Sequence, residues 1–186
     1  MARRFRQWKV DGLRIDRSER RCSLDAAGVQ HVPPVLQWTP RKLTALEAHV
    51  PERERLTALR RFMQDPRDTA TPNGTIELLS NLFRGELLPN ELTQLLIDIL
   101  KATTTGPARI KGLLPEGTVV AHKTGTTATV MNLNGSTNDA GVIVMPGGAG
   151  KLAVAVYLKG STVDLAAREQ TIARIARAAF DAFTAG

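Results

Sequence analysis

Through its first 114 residues the chain repeats apolar positions at intervals of three and four, the period of helices with one buried face. Phe5 and Trp8 mark a helical tail over residues 2–9, which Asp11-Gly12 ends. Leu13 and Ile15 then alternate with charged residues, and Ser23 to Pro40 reads as irregular, punctuated by Gly28, Pro33, Pro34 and Pro40. Two helices are predicted next. One follows Pro40 and carries Leu43 and Leu46; the other opens at Pro51 and runs through Leu56, Leu59 and Phe62. Asp65-Pro66-Arg67-Asp68 breaks it, and Thr71-Pro72 then provides an N-cap and a first-turn proline. Ile76, Leu79 and Phe83 mark one face of that helix, which stops near Gly85. Pro89 opens another, with Leu92, Leu95, Leu96 and Ile99 at helical spacing, ending in Thr103-Thr104-Thr105-Gly106. A short turn from Arg109 to Leu114 leads to Pro115-Glu116-Gly117.

The period then changes. Thr118–Lys123, Asp139–Met145 and Leu152–Leu158 are compact apolar runs, with Gly135 in the first connection and Pro146-Gly147-Gly148 in the second. Short, turn-rich links between such runs predict an antiparallel meander. After Asp164 the pattern is helical to the end, with Leu165, Ile172, Ile175, Ala179, Phe180 and Phe183 on one stripe. The fold class expected is α+β: helices packed with a three-stranded antiparallel meander that a C-terminal helix covers. There are no repeats or low-complexity linkers.

Composition narrows the chemistry. The chain has 186 residues, 42% of them hydrophobic but only 4% aromatic, so aliphatic residues and alanine must supply the packing. A single cysteine, Cys22, excludes an internal disulfide, and His31, His49 and His122 are too scattered for a metal-ligand cluster, so no metal or other cofactor is expected. No apolar stretch reaches 18 residues, and the basic N-terminus lacks the apolar run of a secretory signal. The net charge of +7 is spread over Arg3, Arg4 and Arg6, then Arg17, Arg20 and Arg21, then Arg53, Arg55, Arg60 and Arg61. The last group alternates with Glu52 and Glu54, and no aromatic side chains are interleaved for base stacking. Solvated helix faces account for this charge, and no nucleic-acid partner is expected.

Lys123-Thr124-Gly125, at the end of the first apolar strand, carries the chemistry. The ammonium of Lys123 and the hydroxyl of Thr124 suit a substrate carboxylate. Gly125 leaves room for a substrate backbone, and the amide of Thr126 suits a developing oxyanion. The residues around this triplet extend the pattern. Asp65–Pro72, Thr104-Thr105-Gly106 with Ile110–Pro115, Val120–Thr127 and Asn138–Ile143 follow one another in an order and spacing that resemble the C-terminal half of class A serine β-lactamases.

That resemblance implies site residues and an organisation. Asp16-Arg17-Ser18-Glu19 is similar to the start of the family's omega loop, which makes Glu19 the general base that activates the deacylating water. Arg17 and Asp68 would be the ion pair that clasps the loop, and Lys123 would serve both catalysis and, with Thr124, Gly125 and Thr126, binding of a β-lactam substrate. Glu19 and Lys123 would converge on one pocket. Ser23 falls where the family has a water-positioning asparagine. Residues 1–186 are then expected to be a single partial domain: an enlarged omega-loop region over 16–72, a helical region over 72–114, and strands with the C-terminal helix over 115–186.

The family's nucleophile motif, Ser-x-x-Lys, and its Ser-Asp-Asn element are absent: none of Ser18, Ser23, Ser80, Ser136 or Ser161 has lysine three residues on. The chain is therefore expected to be inactive alone, with a complementing N-terminal half as a possible partner. The full-length family is periplasmic or secreted; this sequence, as written, leaves its own location open. Two other readings share the strand motif, a peptidoglycan transpeptidase or carboxypeptidase relative and a non-catalytic binding module. The Arg-x-Glu element argues against the first, because such an enzyme has little use for a deacylating base.

Overall fold

Polar caps and prolines start the helices where the periodicity places them. The computed structural model describes residues 2–184. Helix α1 spans Ala2–Gln7, α2 Glu19–Ala27, α3 Pro40–Ala48, α4 Glu52–Gln64, α5 Pro72–Phe83, α6 Asn90–Lys101 and α7 Leu165–Thr184. Thr39 and Thr71 each accept a hydrogen bond from the amide three residues on, at 3.2 and 3.1 Å, ahead of a first-turn proline. Short 3-10 turns occupy Val35–Gln37, Ile110–Leu113 and Pro146–Gly148.

The stretch expected to be irregular from Ser23 contains most of α2. Only Leu24 of that helix is buried, so no apolar stripe announced it. It is held instead by ends: Ser18 accepts from the Arg21 amide at 3.3 Å, and Gly28 closes it in the left-handed conformation.

Strand β1 is Val120–Thr126, β2 Thr129–Val130, β3 Leu133–Val144 and β4 Lys151–Ser161. All pairing is antiparallel, with β3 in contact with the other three. The β1–β3 register runs from Val120 opposite Ile143 to Thr126 opposite Thr137, and the β3–β4 register from Asn134 opposite Ser161 to Val144 opposite Lys151. Gly135 is therefore not in a connection; it lies inside β3, which begins six residues before the expected start at Asp139. The reason is chemical. Asn134 is fully buried but donates to Thr127 O at 2.9 Å and accepts from Thr137 Oγ1 at 2.9 Å, so a polar segment forms a strand with its groups satisfied. The actual turn is Met131-Asn132, both with positive φ, the two-residue hairpin geometry.

Helices cover both sides of the sheet. Val154 and Val156 face Ile172, Ala176 and Phe180 of α7 in the main core, together with Ile110, Val120 and Ile143. Tyr157 points the other way, as strand alternation requires, and donates to Thr75 of α5 at 2.6 Å. Helix α6 lies against β1. The faces differ in detail from the periodic reading: α7 buries Ile172, Ala173, Ala176 and Phe180, whereas Leu165, Ile175 and Phe183 remain exposed. In α6 the buried residues are Thr93 and Ile97, and Leu92, Leu95 and Ile99 are exposed.

The excursion between Arg17 and Asp68 has a small core of its own, Leu24, Val29 and Leu43 packed with Trp38 and Leu46. It docks on the sheet through Leu59 of α4. A Cβ on Gly135 would sit 2.6 Å from Thr127 Oγ1 and 2.8 Å from Leu59 Cδ1, so a larger residue there would have to push both side chains aside. Ile172→Ala, which empties a fully buried position in the main core, should destabilise the protein by about 2–5 kcal/mol. Leu36→Ala, at a fully exposed position, should change stability by less than about 0.5 kcal/mol. Denaturant midpoints of the two variants check the pair.

Candidate functional site

Strand β1 is held in register by a buried pair. His122 and Asp139 are both fully buried, and His122 Nδ1 lies 2.9 and 3.0 Å from the two Asp139 oxygens. Asp139 Oδ2 also accepts from the Ile110 amide at 3.2 Å. Gly141 stands directly opposite His122, where a Cβ would lie 2.5 Å from that of the histidine. This polar plug pins the middle of β1, and the three residues that follow emerge at the surface.

Those residues are Lys123, Thr124 and Gly125. Lys123 Nζ donates to Thr124 O at 2.6 Å, and the Thr124 hydroxyl is 2.7 Å from that of Thr105. Thr103 Oγ1 donates to His122 O at 2.8 Å, so the 103–105 threonines cover the free edge of the strand. Arg109 closes the far end. Its Nη2 donates to Thr126 Oγ1 at 2.6 Å, its Nη1 to Gly125 O and Asn138 O at 3.2 and 2.9 Å, and its Nε to Glu169 at 3.0 Å. Lys123 and the hydroxyls of Thr105, Thr124 and Thr126 thus lie around Gly125, braced from beneath by Arg109, which is buried and paired with Glu169. Sequence reasoning passed over Arg109, because its partners are 16 to 60 positions away and no local motif marks it.

Arg17 and Asp68 meet at the ends of the excursion. Arg17 Nε donates to Asp68 Oδ2 at 2.6 Å, while the Asp16 and Arg17 amides donate to Asp68 Oδ1 at 2.6 and 2.9 Å. Arg17 Nη1 also reaches Asp25 at 2.7 Å and Asp65 at 3.2 Å. Burial opposes the Arg17 charge, but Asp68 and Asp25 outweigh it and hold the guanidinium above its ordinary pKa. Burial likewise pushes Asp68 up, yet the Arg17 amide and guanidinium and the Asp16 amide bring it net below the usual carboxylate range. The Arg67 side chain and amide hold Asp65 low as well. Asp68 adopts positive φ, an uncommon backbone that these bonds keep in place.

Glu19 is the first residue of α2 and is exposed. It lines a cavity of about 350 Å³ with Phe5, Leu13 and Cys22, and Lys123 does not line that cavity. Among the described residues no hydrogen bond joins Glu19 to Lys123; α2 packs on α4, and α4 in turn contacts β2 and β3. The Ser23 hydroxyl donates back to Glu19 O at 3.2 Å within the helix. Burial, then the Asp68 charge, pushes the Cys22 thiol up, so this cysteine is not a ready thiolate nucleophile. Among the described residues no group of three or more His, Cys, Asp or Glu is placed to hold a metal, and no helix is long and apolar enough to cross a membrane.

This arrangement of helices packed on an antiparallel sheet is shared with solved class A β-lactamases. Residues 23–183 match the model of the beta-lactamase enzyme family, and the chain belongs to that family. It is similar to the extended-spectrum beta-lactamase PER-1 of Pseudomonas aeruginosa, 42% identical over 107 residues that make up 58% of this chain and 34% of that protein. Beta-lactamase VEB-1 of the same organism is 36% identical over 110 residues, 58% of this chain and 36% of that one. A solved beta-lactamase from Chitinophaga pinensis superposes with a TM-score of 0.71 at 30% identity, covering 97% of this chain and 53% of its own. The TLA-3 extended-spectrum beta-lactamase gives 0.69 at 28%, covering 97% and 52%. The chain thus spans about a third of these curated relatives and about half of these solved structures.

The depressed carboxyls make a pH prediction. A carboxyl held below its ordinary value stabilises the fold above that value, and acid removes the effect as it protonates. Asp68→Asn should melt below the parent between about pH 5 and 8, with the gap closing as pH falls below about 4. A gap that stays constant to about pH 2 in thermal melts would contradict the clasp.

Proposed function

We propose that the protein to which this sequence belongs hydrolyses β-lactams through a serine acyl-enzyme, and that this chain supplies the groups that hold the substrate and release the product. The observation that carries the reading is the polar end of β1, where Lys123, Thr124 and Thr126 lie together with Arg109 around an open glycine. In this scheme the Lys123 ammonium and Thr124 hydroxyl hold the substrate carboxylate. Gly125 admits the substrate, and the Thr126 amide donates to the oxyanion. Lys123 also adds positive charge beside the reacting centre.

Glu19 acts as general base for the deacylating water, a role that needs its carboxylate ionised and at the surface of the cleft. Residues 16–72 form an enlarged omega loop closed by Arg17 and Asp68, on a single partial domain whose helical region covers 72–114 and whose strands and last helix cover 115–186. The reading requires that Glu19 and Lys123 face one substrate in the assembled enzyme. The nucleophile, Ser-x-x-Lys, comes from a complementing N-terminal half, so this chain alone is inactive.

A chromogenic β-lactam tests the scheme in two settings. The chain by itself should give no turnover. Joined in frame to an upstream segment bearing Ser-x-x-Lys, it should turn the substrate over. There, Glu19→Ala should lower kcat by about 10²–10⁴-fold and let an acyl adduct accumulate in intact-mass spectra. Lys123→Ala should raise KM. Turnover by the isolated chain that survives both substitutions would sink the assignment.

A further inference from the structure

We propose that the cavity between α2 and α4 is a binding site for a small phosphate-bearing anion, separate from the β-lactam chemistry. The cavity holds about 600 Å³ and opens to solvent at one side of the excursion. Arg17, Arg21, Arg53, Arg61 and Arg67 all line it. Asp25, Glu54 and Asp65 are the carboxylates on its wall, and Asp68 also binds Arg17, so five arginines face four carboxylates and one net positive charge remains.

Asp25 is engaged by Arg17 and Arg21, and Asp65 by Arg17 and Arg67. Arg53 and Arg61 have no carboxylate within ion-pair distance among the described residues. They stand eight residues apart on α4 with Thr57 between them, on one face and about 12 Å apart along the axis. Both residues line the cavity and are exposed.

A second, independent feature points to a ligand. Arg17 lies at the cavity floor with its side chain 8% exposed, and its Nη2 has no hydrogen-bond partner. Its other two nitrogens are committed to Asp68, Asp25 and Asp65, and Phe62 lies 5.4 Å beneath the guanidinium carbon. A buried charged donor left unpaired is costly, and an oxyanion reaching the floor would satisfy it. Arginine forks are the usual way of gripping phosphate oxygens.

Pyrophosphate is the probe. Added to the 186-residue chain at matched ionic strength, it should raise the melting temperature over a sodium chloride control and bind in calorimetry with Kd below about 1 mM. Arg53→Gln with Arg61→Gln, both at exposed positions, should weaken that binding about tenfold or more while leaving the unliganded melting temperature in place. Arg41→Gln with Arg174→Gln removes the same charge away from the cavity and should leave the affinity unchanged. Two results would overturn the proposal: no binding of pyrophosphate, or equal losses in both double variants.

Discussion

The Arg17 guanidinium ties Asp68, Asp25 and Asp65 to one point, and the fold of the first third of the chain depends on it. Arg17 and Asp68 are 51 positions apart, and closing a loop of that length opposes folding by an entropy that grows only slowly with length. The charge-assisted bonds at the neck offset that term in one place. Backbone pairing continues it: the Arg14 amide donates to Thr69 O at 2.9 Å and the Thr71 amide to Gly12 O at 2.8 Å. Beyond the neck, Arg17 reaches Asp25 and so fixes the helix that Glu19 begins. The excursion is thus more than a tethered loop, since its own apolar core and the seating of Leu59 on Gly135 set α4 against the sheet.

The second organising element is the buried His122–Asp139 pair. It couples β1 to β3 and to the turn at Ile110 through one carboxylate, in a place where an unpaired charge would be strongly disfavoured. Because successive side chains alternate along a strand, fixing His122 inward presents Lys123 on the other face. Arg109 then bonds carbonyls of both strands one step further on. The Lys123–Thr126 end of β1 is therefore held by contacts that lie beneath it.

Much of this was legible in the residue pattern, and the failures share a cause. Helices α3 to α6 announced themselves by caps and prolines, and α4 by Leu56, Leu59 and Phe62. Helix α2 did not, because a helix that buries only Leu24 has no stripe to read. The first half of β3 was hidden since its inward residues are Asn134 and Thr137, which bond to each other rather than forming an apolar run. The faces of α6 and α7 were misjudged because apolar spacing does not say which of two adjacent stripes meets a partner. At the candidate site, Lys123-Thr124-Gly125 was visible as a motif, and Arg17, Glu19 and Asp68 through resemblance. Arg109, and the partnership of Asp25 and Asp65 with Arg17, arise only from contacts made across the fold.

A double-mutant cycle on Arg17 and Asp68 measures most directly whether one ion pair holds the excursion. Denaturant unfolding of Arg17→Ala, Asp68→Ala and the combined variant should give a coupling free energy of about 1–3 kcal/mol, with the second substitution adding little to the first. Losses that add to within about 0.3 kcal/mol would show that the two residues act independently and that the loop is closed by something else.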